Sequence, residues 1–186
     1  VNKYTTIQID SSQPWQRPYH RDTTAANGLP SIAHFIKKVF LISDNDAYNR
    51  LFQFIGQQQI HQALSAKGYP NAIFSRQFLG LTMQQNRHTN ALRFVSPAGK
   101  LLYSQPAQFN TDSFDFSRKI AVGKGYKNSK DSLVMTPFDF SWHNNVSLFN
   151  FQQMLQSVLF PESFPPSRRF NLTRKDQTFL KYWMSA

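Results

Sequence analysis

The sequence predicts a mainly α-helical fold with a small β-hairpin insertion. Three apolar stripes at helical spacing lie in the first 70 residues, and two more follow residue 145. Proline and glycine interrupt the short β-prone runs between them. A chain of 186 residues can form one domain with its own core. We expect helices in 1–70, a loop and hairpin insertion in 71–145, and helices again in 146–186.

The first helix follows an extended segment and a loop. Val1–Asp10 alternates weakly, with Ile7 and Ile9 on one side, which predicts a short extended piece. Residues 11–30 hold three prolines and a glycine and are typical of a loop. Ser31 can then cap a helix that ends near Ile42.

Two further helices are bounded by glycines. One begins at about Asp46 and stops at Gly56, and the next, which contains Ile60 and Leu64, stops at Gly68. Glycine favours the left-handed conformation at helix C-termini, so both positions are suited to a stop.

The middle of the chain is irregular. Its β-prone runs are Leu92–Val95, Lys100–Tyr103 and Lys119–Val122, which predict a long loop and then a hairpin. Val122–Gly125 is rich in glycine, but no phosphate-loop pattern follows, so we interpret it as a hairpin turn.

Two helices follow the insertion. Leu148–Leu159 carries an apolar stripe that Pro161 ends. Thr173 and Asp176 are spaced like a capping box at the start of the last helix. We expect the aromatic residues at helical spacing to be core residues: Phe35, Phe40, Phe52, Phe54, Phe151, Phe179 and Trp183.

Composition excludes several kinds of site. Cysteine is absent, which removes disulfides, thiol nucleophiles and cysteine-based zinc sites. No metal-ligand spacing occurs among the histidines, so we expect no metal and no cofactor. They are His20, His34, His61, His88 and His143. No apolar run approaches the roughly 20 residues that cross a bilayer, and we expect no membrane span.

The net charge of +11 raises the alternative of a basic helical domain that binds nucleic acid. The basic residues form no run longer than a pair, and we interpret their dispersal as a solvated surface. Clustering of Lys37, Lys38, Arg168 and Arg169 on one face would favour the nucleic-acid alternative.

Ser43-Asp44-Asn45 lies in the turn between the first two helices. Because serine, aspartate and asparagine favour caps, the simplest interpretation is that these residues only cap the helices.

The stretch Ile42–Asn49 resembles the second motif of class A β-lactamases and penicillin-binding proteins, which also have asparagine at the position of Asn49. The resemblance extends over Gly56–Gly68 and Leu172–Met184. It implies a parent fold of the α/β class, with a helical subdomain on an antiparallel sheet. It also implies that Ser43 relays a proton and that Asn45 orients the substrate, while Asp44 holds the turn.

Other motifs of that family are missing. No S-x-x-K pair and no Lys-Thr-Gly occur, so we expect the nucleophile upstream of Val1 and the chain alone to be inert. The loop that carries a catalytic glutamate in class A enzymes corresponds to Phe74–Asn90, which contains no carboxylate. The insertion could bring Asp112 or Asp115 to the site instead.

The resemblance implies a small-molecule or peptidoglycan-like substrate with a β-lactam, peptide or ester bond, and a periplasmic or secreted protein. The alternative is a non-catalytic homologue that binds peptidoglycan or a protein partner.

Overall fold

A computed structural model describes residues 1–186 as five α-helices and three small antiparallel sheets. The helices are α1 (Ile32–Ile42), α2 (Asn45–Ile55), α3 (Gln57–Ala66), α4 (Leu148–Leu159) and α5 (Arg174–Met184). The strands are β1 (Thr6–Ile9), β2 (Leu92–Val95), β3 (Leu101–Gln105), β4 (Ala121–Val122), β5 (Tyr126–Lys127), β6 (Leu133–Val134) and β7 (Phe138–Asp139). Single 3₁₀ turns occupy Gln85–Arg87, Pro161–Ser163 and Pro166–Arg168.

The predicted helices are confirmed, together with their caps. Ser31 accepts a hydrogen bond from the N–H of His34, and Gly56 ends α2 with φ 82°. Thr173 and Asp176 form the predicted capping box at the start of α5. These signals act within a few residues of each helix end, which is why sequence alone reveals them.

The main sheet is larger than the sequence predicts. Strands β1, β2 and β3 form one antiparallel sheet in that order, with Ile7 opposite Phe94 and Phe94 opposite Tyr103. The sequence places β2 and β3 in the insertion, but β2 pairs with the N-terminal strand and β3 pairs with β2. The partner of β2 lies some 85 residues away in sequence, and periodicity does not reveal such a pairing.

The insertion is one interrupted hairpin. β4 pairs with β7, and β5 pairs with β6 inside that pair. The sequence predicts a hairpin turn at Val122–Gly125, and that prediction was wrong. Residues 123–125 form a kink between β4 and β5. A Cβ atom on Gly125 would lie 2.8 Å from the carbonyl oxygen of Val134, so only glycine fits there.

The main core lies between the sheet and the first two helices. It comprises the buried side chains of Ile7, Ile9, Phe35, Ala47, Leu92 and Phe94. A smaller cluster of Leu64, Tyr69 and Ala72 lies beneath α4 residue Met154. Burial of a large apolar side chain stabilises the fold by about 1.5–3 kcal/mol. Because Phe35 of α1 and Ala47 of α2 belong to the same core, this burial holds the two helices together.

Two aromatic residues predicted to be core are exposed. Phe40 is 43% exposed and Phe151 is 55% exposed, whereas Phe35 and Phe52 are buried as expected. The prediction was wrong at those two positions because the apolar stripes of α1 and α4 are wider than the surfaces that cover them.

Candidate functional site

The turn between α1 and α2 has an unusual backbone. Ser43 ends α1 in the left-handed conformation, with φ 53° and ψ 41°. Glycine is the usual residue in this position, and a side chain there costs about 1–2 kcal/mol. The Ser43 side chain is exposed and makes no hydrogen bond within the protein. The capping interpretation therefore does not account for its hydroxyl group, which is free to meet a ligand.

Asp44 is the N-cap of α2. Its Oδ1 atom accepts a hydrogen bond of 2.9 Å from the N–H of Ala47, and its other oxygen lies 3.0 Å from the Lys38 ammonium. Burial opposes ionisation of Asp44, but the Ala47 N–H and Lys38 outweigh it and hold the pKa of this carboxyl below its ordinary value. The side chain of Asp44 is thus fully engaged in holding the turn.

Lys38 connects this turn to a buried acid. Its Nζ atom also lies 3.4 Å from Asp22, whose side chain is only 2% exposed. Burial raises the pKa of Asp22, but hydrogen bonds from Thr24 and Tyr19 and the charge of Lys38 together lower it to about 2. Both acids are therefore charged at neutral pH, and the Lys38 cation lies between them.

Asn45 and Asn49 are one turn apart on α2 and have different environments. Asn45 is exposed and its amide makes no hydrogen bond within the protein. Asn49 is buried, and its Oδ1 atom accepts a 2.8 Å hydrogen bond from the N–H of Phe78. Asn49 therefore joins α2 to the loop of residues 74–90.

That loop is held by further asparagines. Asn86, 1% exposed, accepts from the N–H of Gln77 at 2.8 Å and donates to the Thr82 carbonyl at 2.8 Å. Asn144, in the segment after β7, accepts from the N–H of Arg76 at 2.8 Å. Amides on three separate elements thus fix the backbone of the loop beside α2.

A cleft of about 550 Å³ opens between Asn45, this loop and the end of the insertion. Its lining residues are Asn45, Arg76, Gln77, Phe78, Leu79, Gly80, Phe140, His143 and Asn144. None of these side chains is a carboxylate. A volume of 300–1,000 Å³ is typical of small-molecule sites, and the cleft that Asn45 lines falls within this range.

His143 is the one titratable base in this cleft. Its Nε2 atom lies 3.3 Å from Nη1 of Arg76. Partial burial and then the Arg76 cation lower the pKa of His143, while Asp139 opposes them. His143 is therefore neutral at pH 7 and adds no charge to the cleft. The sequence offered no spacing that would have singled it out.

The two aspartates considered for this site lie elsewhere. Asp112 and Asp115 line a separate cleft of about 500 Å³ beside His61, and Asp112 accepts a hydrogen bond from Gln58. His61 accepts from the N–H of Phe74 and bonds the carbonyl of Gln57, so both ring nitrogens are occupied. The insertion brings no acid to the cleft of Asn45.

Sites of two other kinds are not found. No group of three or more His, Cys, Asp or Glu side chains is arranged to hold a metal ion. None of the helices has the length and apolar character needed to span a membrane.

A family model described as the β-lactamase enzyme family matches residues 6–105, which is more than half of the chain. The chain belongs to the β-lactamase enzyme family. The predicted resemblance to β-lactamase-like serine hydrolases is therefore confirmed at the level of the family, while the roles of Ser43, Asp44 and Asn45 stay predictions. No curated protein and no solved structure matches the chain.

The matched part of this β-lactamase family member contains the main sheet, α1 to α3 and the loop of residues 74–90. The interrupted hairpin, α4 and α5 lie outside the match. The predicted likeness of Leu172–Met184 to the family's last helix stays a prediction.

Proposed function

We propose that the chain is the part of a β-lactamase-like serine acyl-hydrolase that holds the proton relay and orients the substrate. The observation that carries the proposal is the free Ser43 hydroxyl in a strained turn beside the cleft that Asn45 lines. Strain of this kind persists where surrounding structure enforces it and is common at functional sites. The Asp44–Lys38–Asp22 charges supply that enforcement.

In the proposed reaction a serine attacks the carbonyl of a β-lactam, peptide or ester. The attacking serine loses its hydroxyl proton as its oxygen bonds to the carbonyl carbon. The bond from that carbon to the nitrogen or oxygen then breaks, and Ser43 relays the released proton to the departing atom. Asn45 hydrogen-bonds the amide beside the scissile bond and so aligns the carbonyl. Asp44 and Asn49 contact no substrate and act by holding the turn and the loop in place.

We propose that the nucleophile lies outside residues 1–186, because no S-x-x-K pair occurs within them. We propose a small-molecule or peptidoglycan-like substrate and a periplasmic or secreted location, since β-lactamase-like proteins are typically exported.

Release of the acyl group should be slow. In class A enzymes a carboxylate activates the water that releases it, and here neither the loop of 74–90 nor the lining of the cleft provides one. Glutamine and asparagine can hold a water molecule but cannot take its proton. We therefore propose behaviour like that of a penicillin-binding protein, with a long-lived adduct.

A fluorescent penicillin tests the proposal. We expect no covalent adduct on residues 1–186 by mass spectrometry, and a stoichiometric adduct on a longer form that carries an S-x-x-K serine. Single-turnover kinetics on that form should show fast acylation and slow release. Rapid turnover would contradict the slow-release mechanism, and absence of any adduct on the longer form would favour the non-catalytic alternative.

The nucleic-acid alternative receives little support from the contacts of the basic residues. Lys38 is neutralised by two carboxylates, and Lys37 lies 4.8 Å from the Trp183 ring centroid. Arg168 lies over the ring of Tyr69, and Arg169 donates to the carbonyl of Phe164. These four residues contact separate partners and do not form one free basic patch.

A further inference from the structure

The interrupted hairpin, which lies outside the residues that match the family, has two faces of different character. On its inner face Tyr126 packs edge-on against Phe138, with ring centroids 4.8 Å apart, and the ring of Phe138 lies 5.6 Å from that of His143. Tyr126 is paired with Val134, and both side chains are partly buried. The inner face therefore joins the hairpin to the segment after β7, which lines the cleft.

The outer face of the hairpin is turned to solvent. Lys127 of β5 and Leu133 of β6 are directly opposite each other, so their side chains leave the hairpin on the same side. Leu133 is 66% exposed and Met135, two residues further on, is 73% exposed, while Val122 at the end of β4 is 54% exposed. When one face of an antiparallel pair is packed, the other ordinarily carries polar residues. The outer face departs from that pattern, because it presents apolar side chains beside a cation.

Positive charge is concentrated in the same hairpin. Residues 118–138 contain five cationic side chains and a single acidic one: Arg118, Lys119, Lys124, Lys127, Lys130 and Asp131. Lys127 lies 2.9 Å from Asp131 in an ion pair that is largely exposed to solvent. Lys124 and Lys130 take part in no ion pair. The hairpin therefore has an excess of cations that the protein itself does not neutralise.

Exposed aliphatic side chains beside lysines fit a lipid surface of negative charge. Anionic headgroups attract lysine, with a gain of about fivefold in binding for each residue near the surface. Apolar side chains are received at the boundary between headgroups and acyl chains. A nucleic acid would instead favour arginine and stacked aromatic side chains. The tip of the hairpin, residues 122–135, contains no arginine, and its single aromatic residue, Tyr126, packs on the inner face.

We propose that the outer face of the interrupted hairpin docks on an anionic phospholipid surface. Lys124, Lys127 and Lys130 contact the headgroups, and Leu133 and Met135 enter the boundary beneath them. Because the inner face packs against the segment that lines the cleft, the docked protein holds the cleft close to the lipid surface. This docking does not depend on the proposed acylation.

Vesicle flotation of the chain tests the proposal. Two kinds of vesicle are compared, one of phosphatidylcholine alone and one in which half of that lipid is replaced by the anionic lipid phosphatidylglycerol. We expect the protein to float with the anionic vesicles and not with the neutral ones. The binding should weaken as salt is added, because salt screens the attraction between lysines and headgroups. Equal flotation with both vesicles, or flotation with neither, would overturn the proposal.

Two double variants separate the charge of the hairpin from the net charge of the chain. Lys124→Gln with Lys130→Gln should lower the partition coefficient about 25-fold, because two lysines near the lipid surface are lost. Lys100→Gln with Lys175→Gln is the matched control, since it removes the same charge from exposed positions in the β2–β3 turn and in α5. The control should lower partitioning less than about twofold, because charges farther away than the screening length contribute little. Equal losses in the two proteins would contradict docking through the hairpin.

The apolar contact is tested by Leu133→Gln with Met135→Gln. Partitioning should fall by more than about tenfold, because two apolar side chains no longer leave water. Leu101→Gln with Leu102→Gln, at comparably exposed positions on β3, is the control and should leave partitioning unchanged. All of the substituted side chains are exposed, so the variants should fold.

A DNA duplex serves as the soluble polyanion in the same assays. We expect it to bind more weakly than the anionic vesicles at physiological salt. If Leu133→Gln with Met135→Gln leaves vesicle binding unchanged, the apolar side chains do not enter the lipid and the proposal is overturned. Tight binding of the duplex that needs Lys124 and Lys130 but not Leu133 and Met135 would identify a soluble polyanion as the partner and would overturn it too.

Discussion

Lys38 is the side chain on which the geometry of the Ser43 turn depends most. It lies between the carboxylates of Asp22 and Asp44, at 3.4 Å and 3.0 Å, with only 12% of its own side chain exposed. A buried charge pair stabilises a fold little more than well-packed apolar residues of the same size would. Removal of one partner is nevertheless strongly destabilising, because it leaves an unbalanced buried charge. Hydrogen bonds from the N–H groups of Ser43 and Asp44 to the carbonyls of Val39 and Lys38 close the turn, and these charges lie around it.

Lys38→Met should lower the free energy of unfolding by about 2–3 kcal/mol, because it leaves the buried Asp22 carboxylate without its cation. Lys37→Met is the matched control. Lys37 makes only a partly exposed contact with the ring of Trp183, and its loss should cost about 0.5 kcal/mol. Urea denaturation measures both values. Equal effects for the two lysines would show that the charges do not hold the turn.

Among the larger elements, the loop of residues 74–90 is the least predictable from sequence. It contains no regular structure except one 3₁₀ turn, yet Ser75, Gln77 and Asn86 within it are buried. Side-chain amides replace the hydrogen bonds that a helix or strand would supply. The loop is therefore an ordered wall of the cleft, although its composition resembles that of a flexible connection.

Asn86→Ala should loosen this loop. Asn86 is almost fully buried and makes three hydrogen bonds to loop backbone, so its loss should cost about 2–3 kcal/mol. Hydrogen exchange should speed up at Gln77 and Phe78 before it does in α2. Asn71→Ala, at an exposed position, is the control and should leave exchange unchanged. Uniform acceleration across the whole chain would indicate global destabilisation instead.

The elements that sequence predicts well are those with local signals. Ser31, Gly56 and the Thr173–Asp176 pair mark helix ends through hydrogen bonds that span at most four residues. The partnership of β1 with β2 and the exposure of Phe151 depend on residues far away in the chain. The spacing of apolar residues shows which face of an element is apolar. It does not show how much of that face other parts of the chain cover.

The distinction between local signals and contacts across the chain also applies to the candidate site. Ser43, Asp44, Asn45 and Asn49 are contiguous enough to be recognised as a motif. Arg76 and His143, which are 67 residues apart, meet only in the folded chain. Their role in the cleft therefore follows from the structure alone.

For the molecule as a whole, acid stability depends on the carboxyl groups of lowered pKa, and Asp22 is the buried one among them. Its pKa is about 2 in the folded chain against an ordinary value of 3.8, so the folded state binds its proton less tightly than the unfolded state does. A lowered pKa stabilises the fold above pH 4, and that stabilisation disappears as the pH falls toward 2.

The thermal midpoint should therefore fall between pH 4 and pH 2, and less steeply in Asp22→Asn. Lys38→Met should also make the fall shallower, because loss of the cation raises the pKa of Asp22 in the folded chain toward its ordinary value. Circular dichroism melts at half-unit steps of pH measure both effects. An acid transition that is identical in all three proteins would show that Asp22 is not the group responsible.

The central claim is that Ser43 relays a proton and is not merely part of a helix end. The most direct measurement is the rate of acylation by a fluorescent penicillin in the longer form that carries the nucleophile, with Ser43→Ala compared against Ser147→Ala. Ser147 is a true N-cap, bonded to the N–H of Asn150. We predict that Ser43→Ala slows acylation by a factor of about 10²–10⁴ with little loss of stability. Ser147→Ala should acylate at the normal rate but lose about 1 kcal/mol of stability. If Ser43→Ala acylates at the normal rate and loses only stability, the motif is a cap and the account is contradicted.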